Sequence, residues 1–184
     1  MRVVALCSGD PFWFGAGSLL AQALPAEEWV ALPAPSTFAL AAAKLGWRLE
    51  ETTCLGLHAT PFALARAHLQ RGAKLICLLR DGASVPGFAA YLTDLGFGES
   101  RLWRLQALGG AREHITQASA AEMAGIAPGA SPVAVAVEVA GALGLPRGAG
   151  LADSLFAHDG QITKRPVRAP RYPPWRHVRA SISG

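Results

Sequence analysis

Five short stretches hold the residues best suited to binding a ligand. The first is Ser8-Gly9-Asp10-Pro11, followed by Gly15 and Gly17. Glycine lets a ligand approach the backbone closely, and a fixed aspartate accepts hydrogen bonds or faces a cation. The spacing is neither GxGxxG nor a Walker A loop, so a phosphate cradle is not indicated. The same residues also suit an ordinary tight turn with an Asp cap. The other four stretches are 33–37, with Ser36 and Thr37; 57–60, with His58; 80–82, with Asp81; and 108–110, with Leu108 and Gly109. A single histidine at a strand end serves as a structural hydrogen-bonding residue as readily as a catalyst. Each turn alone is plain turn chemistry. Their shared place at strand ends is what points to one crevice.

Nothing in the chain signals nucleophilic or metal chemistry. There is no GxSxG, no HExxH and no CxxC, and Cys7, Cys54 and Cys77 have no zinc or disulfide-framework spacing. Glu27/Glu28 and Glu50/Glu51 sit in polar stretches and read as solvated. No metal site and no catalytic residue is assigned from these residues.

Short apolar runs alternating with helix-period stretches must position those turns. Strands are expected over residues 2–7, 29–32, 53–58, 74–79, 101–107 and 132–139. Helices are expected over 17–24, over 36–44 with Ser36 as N-cap and Gly46 as the stop, and over 62–70 closed by Gly72. A further helix carries Pro86 in its first turn, where proline is tolerated. Ser119 and Glu122 form a capping box for a short helix over 120–124. Alternation of strand and helix indicates an α/β fold with mainly parallel pairing. The polar stretch 71–74 is the expected lobe boundary, which divides the chain into 1–72, 73–165 and a basic Pro/Arg-rich tail, 166–184.

The 184 residues are 51% hydrophobic and 16% charged, a folded composition. The net charge of +4 is unevenly placed. All six basic residues after position 159 stand without an acid, and the remainder of the chain is slightly acidic. That body offers no basic face for nucleic acid. The apolar start is too short for a signal peptide, and no run is long enough to span a bilayer. A cytoplasmic, reduced protein is expected. An apolar strand opening the chain leaves an unpaired edge, so self-association into a homo-oligomer is also expected.

Several segments together resemble the tetrapyrrole methyltransferases, above all the family's precorrin-6Y C5-methylating modules of cobalamin synthesis. Residues 4–15 (VALCSGDPFWFG) resemble its strand and GDP loop, and residues 32–46 (LPAPSTFALAAAKLG) its Pro-Gly-x-Ser-Ser segment and helix. Leu57-His58 resembles a Leu-His-Gly-Arg turn, and residues 78–82 a Leu-Thr-Asp turn. Residues 107–115 (ALGGAREHI) resemble a Leu-Gly-Gly-x-x-Glu-Arg-Ile run. Residues 156–169 (FAHDGQITKRPVRA) resemble the module's closing segment, its most specific part.

The resemblance implies a two-lobed α/β enzyme, with a mainly parallel sheet in the first lobe and a mixed sheet in the second. It implies S-adenosylmethionine in the cleft, held by Ser8, Gly9, Asp10, Ser36, Thr37, Leu79, Asp81, Leu108 and Gly109. It implies a corrinoid precursor as substrate, with His58, Arg112, Lys164 and Arg165 toward its carboxylates, and a separate methyltransferase/decarboxylase module as partner. The sequence departs from the family at Ala34 for Gly, Ala59-Thr60 for Gly-Arg and Pro166 for Glu. The family's first strand and glycine-rich loop have no counterpart after Met1, so an N-terminally truncated chain is expected. A non-catalytic remnant or partner-binding module of the same fold is the alternative.

Overall fold

The computed structural model describes residues 3–145, 151–155 and 161. Two compact units are distinguished, Met1–Gly144 and Leu145–Gly184. The first is built on one five-stranded sheet. Its strands are β1 (Thr52–Gly56), β2 (Lys74–Leu78), β3 (Arg101–Gln106), β4 (His114–Ser119) and β5 (Val133–Glu138). They lie in the order β1-β2-β5-β3-β4. Only β1 and β2 pair in parallel; β5 runs antiparallel to both β2 and β3, and β3 antiparallel to β4. The expectation of mainly parallel pairing is therefore corrected to a mixed sheet. The physical reason is connectivity: β4 returns from β3 through a short turn, which permits only antiparallel pairing. The boundary expected at 71–74 falls between β1 and β2, which pair with each other.

The alternation of Val and Ala along β5 decides how the two faces are covered. Val133, Val135 and Val137 face helix α3 (Ser84–Leu92) and helix α4 (Ala120–Met123), in a core that includes Phe88, Leu92 and Met123. Ala134 and Ala136 face the opposite side, where helix α2 (Thr37–Leu45) packs through Phe38, Ala41 and Ala42. Small residues on both surfaces let α2 approach the sheet closely. Each large core side chain so buried contributes about 1.5–3 kcal/mol.

Local signals behave as expected around α2 and α4. Ser36 Oγ accepts from the Ala39 amide at 3.2 Å, and Gly46 ends α2 in the left-handed region at φ +66°. Ser119 and Glu122 form the complete reciprocal capping box of α4. Helix α1 (Gly17–Ala23) also forms where expected. Residues 62–68 wind as a 3-10 rather than an α-helix.

Two expected strands do not form. Residues 3–7 and 29–32 carry no regular secondary structure and pair with no strand among the described residues. Val3, Val4, Leu6, Val30 and Leu32 are 76% to 94% exposed. An apolar run becomes a strand only where a ladder partner accepts its N–H and C=O groups. Strand β4, in contrast, forms where no apolar run announced it. No helix among the described residues is long and apolar enough to cross a membrane.

Candidate functional site

Strands β1, β2 and β3 point the same way, so residues 56–58, 78–80 and 106–108 reach one edge of the sheet. The start of β5 and the N-terminal end of α2 lie at that edge too, and there the chain forms two adjoining cavities. The first, about 350 Å³, is lined by Ser8, Gly9, Asp10, Phe14, Ser36 and Thr37 among others. The second, about 270 Å³, shares Phe14, Thr37 and Leu78 with the first. His58, Leu79, Arg80, Leu108 and Pro132 belong to its wall.

Residues 8–15 are held against α2 by aromatic packing. Trp13 and Phe14 pack in tilted contact with the buried Phe38 at ring separations of 5.1 and 5.9 Å. Phe14 adopts φ +58°, an uncommon conformation for an aromatic residue. Its ring lies over Gly56, where a Cβ would meet Phe14 Cε1 at 2.6 Å. Gly9, at φ +67°, brings its backbone to the start of α2, where a Cβ would stand 3.4 Å from Ser36 Cα. Asp10 Oδ1 accepts from the Phe12 amide at 2.8 Å, which fixes the turn.

The structure thus gathers Ser8, Gly9, Asp10, Ser36 and Thr37 in one cavity, and Thr37, His58, Leu79 and Leu108 in the next. Three expected site residues line neither cavity. Asp81 Oδ1 accepts from the Ser84 amide and hydroxyl at 2.8 and 2.7 Å, where it serves the start of α3. These Ser84 hydrogen bonds hold the carboxyl below its ordinary value. Gly109, at φ +74°, donates its amide to Glu113 Oε2 at 2.8 Å. Arg112 is exposed on the same turn. Lys164 and Arg165 lie outside the described residues, as does residue 158 with the rest of the HDGQITKR segment apart from Gln161.

Sequence reasoning passed over Phe14, Arg80 and Pro132 as site residues. Phe14 had a signal, since it directly follows the GDP loop. Arg80 was read only as part of a turn. Pro132 had none, because β5 enters the site through its beginning rather than its end. Among the described residues, no group of three or more His, Cys, Asp or Glu side chains is gathered that could hold a metal ion.

A family model described as Tetrapyrrole (Corrin/Porphyrin) Methylases matches residues 1–124. A precorrin-6Y C(5,15)-methyltransferase [decarboxylating] of Sinorhizobium sp is 49% identical over 172 residues, covering 91% of this chain and 41% of that protein. The protein of that name from Mycobacterium tuberculosis is 34% identical over 170 residues, covering 91% of this chain and 42% of that protein. The chain spans about two fifths of the length of these curated relatives. Among solved structures, a uroporphyrin-III-C-methyltransferase from Thermus thermophilus superposes with TM-score 0.53 at 24% identity, covering 70% of this chain and 60% of that one. The Thermus thermophilus enzyme complexed with S-adenosyl homocysteine gives TM-score 0.52 at 18% identity, covering 70% and 62%. These structural likenesses establish the shared fold.

Proposed function

The chain belongs to the tetrapyrrole (corrin/porphyrin) methylases, and from that membership we propose that it is an S-adenosylmethionine-dependent C-methylating module. Its substrate is a corrinoid precursor, of the kind that carries precorrin-6Y C5-methylation. The names of its relatives join methylation to decarboxylation, and this chain spans two fifths of them. A methyltransferase/decarboxylase module of the kind those names imply is its proposed partner in the reaction.

One observation carries this reading: two segments far apart in sequence, 8–15 and 36–38, meet around the 350 Å³ cavity. Its size falls within the range of about 300–1,000 Å³ usual for small-molecule sites. Its lining suits the cofactor. Gly9 leaves the backbone approachable, Ser8 and Thr37 offer hydroxyls, and Trp13 and Phe14 offer aromatic surface. The first turn of α2 presents amide groups and the positive end of its dipole, which favour a carboxylate.

When bound, S-adenosylmethionine supplies an activated methyl on a sulfonium, transferred by in-line displacement. Such a transfer asks the protein mainly for positioning and a dry cleft. Phe14, Leu78, Leu79, Leu105 and Leu108 provide apolar wall between the two cavities and around the second. Thr37, on both walls, is placed to orient a ligand in either.

Calorimetric titration with S-adenosylhomocysteine tests the reading. Binding is expected, with a stabilisation of about 2.7 kcal/mol at a hundredfold excess over Kd. Folded protein that shows no binding and no melting shift at millimolar ligand would remove the methyltransferase reading. The exposed Val3, Val4, Leu6, Val30 and Leu32 would then favour the second reading, a partner-binding module of this fold.

A further inference from the structure

The second cavity is lined mostly by apolar side chains, with Thr37, His58 and Arg80 as the polar ones. Leu79, Leu105, Leu108, Pro132 and Val133 supply its wall, and Arg80 is the cation that lines it. Arg80 is exposed, yet its guanidinium is steered: Nε donates to the His58 backbone carbonyl at 3.3 Å. That bond uses the inner edge of the group. Neither Nη atom has a hydrogen-bond partner among the described residues, and no carboxylate forms an ion pair with Arg80 there. Asp81, the adjacent acid, is committed to the Ser84 amide and hydroxyl instead.

A tethered, exposed guanidinium with two unused amino groups, lining a mostly apolar cavity, matches one ligand chemistry. The ligand has a broad apolar body and a peripheral carboxylate that accepts two parallel N–H bonds. We propose that Arg80 is the residue through which the second cavity reads a carboxylate of the tetrapyrrole-class substrate. The assignment rests on the reading of the site given above. It extends to Arg80 a role that the family resemblance implies for His58, Arg112, Lys164 and Arg165. Arg112 is exposed on the β3–β4 turn and lines neither cavity, so it has no comparable claim.

The test uses the full chain and two separate probes. Uroporphyrin III, a soluble polycarboxylate tetrapyrrole, is titrated by its fluorescence against wild type, Arg80→Leu and Arg80→Lys, all saturated with S-adenosylhomocysteine. Binding of S-adenosylhomocysteine is measured independently in each variant. We expect Arg80→Leu to weaken uroporphyrin III roughly tenfold or more, since a charge-assisted hydrogen bond is lost. Arg80→Lys should fall between, keeping charge without the fork. Affinity for S-adenosylhomocysteine should stay within twofold. Added salt should weaken porphyrin binding to wild type more than to Arg80→Leu, a response that a merely structural arginine would not produce.

Equal porphyrin affinity in wild type and Arg80→Leu overturns the proposal, as does wild type that binds S-adenosylhomocysteine but not uroporphyrin III. Failure to bind S-adenosylhomocysteine overturns the methyltransferase reading itself, so the two failures are distinguishable. Melting temperatures of the variants, unchanged because Arg80 is exposed, exclude misfolding as the cause.

Discussion

Lys44 Nζ stands 2.6 Å from Glu113 Oε1, and the other oxygen of that carboxylate accepts the Gly109 amide at 2.8 Å. The last turn of α2 is thereby tied to the β3–β4 turn, next to Leu108 in the wall of the second cavity. Lys44, and then the Gly109 amide, favour the charged carboxylate and hold Glu113 below its ordinary value. A group with a lowered folded value stabilises the fold fully above the ordinary glutamate range. That stabilisation disappears as pH falls through the folded value. Glu113→Gln should therefore melt below wild type at pH 7, by roughly a degree or two. The two melting curves should converge only as pH falls below the ordinary glutamate range and through the lowered folded value, as scanning calorimetry across pH will record. A gap that persists in acid would assign the effect to packing instead.

Ser36 has two duties, capping α2 and lining the first cavity. Ser36→Ala should cost about 1 kcal/mol in denaturant unfolding, and Ser36→Asp should restore most of it. Full stability in Ser36→Ala would show that packing of Phe38 alone holds the start of α2.

Asp10→Asn separates fold from binding. The Asn side-chain oxygen can still accept from the Phe12 amide, so the turn and the melting temperature should be retained. Affinity for S-adenosylhomocysteine should fall several-fold by calorimetry if the carboxylate serves the ligand. Unchanged affinity would reduce Asp10 to shaping the loop.

Thiol chemistry should follow burial. Cys77 is fully buried on β2, where desolvation chiefly, and Cys54 secondarily, push its thiol far up. Cys54 is also raised by burial. A disulfide-exchange reagent at pH 8 should modify Cys7 first and Cys77 only on unfolding. Prompt reaction of Cys77 in the folded protein would mean that the sheet opens locally.

Legibility in the sequence followed the range of the interactions involved. Ser36, Gly46, Ser119 and Glu122 act within four residues of themselves, so their roles could be read from spacing. The apolar runs 3–7 and 29–32 could not be judged that way, since their side chains say nothing about whether a ladder partner exists. Strand β4 escaped for the opposite reason. Its side chains are exposed or half-buried, and it is defined by its register with β3 rather than by hydrophobicity. At the site, Gly9 and Asp10 were visible as a motif. The meeting of Thr37 with His58 and Arg80 required the order of strands, which no local pattern encodes.

The place of β5 bears on how the molecule comes into being. The last strand among the described residues occupies the middle of the sheet, with β2 on one side and β3 on the other. A nascent chain emerging from the ribosome can form the β1–β2 and β3–β4 pairs early. Those pairs remain two separate ribbons, each with an open inner edge, until residues 133–138 arrive between them. Joining them demands closure across more than fifty residues from β2, a slow and entropically costly event. The crevice thus has a birth order: its aromatic and hydroxyl walls are synthesised first, and the strand that brings them to a common edge is added last.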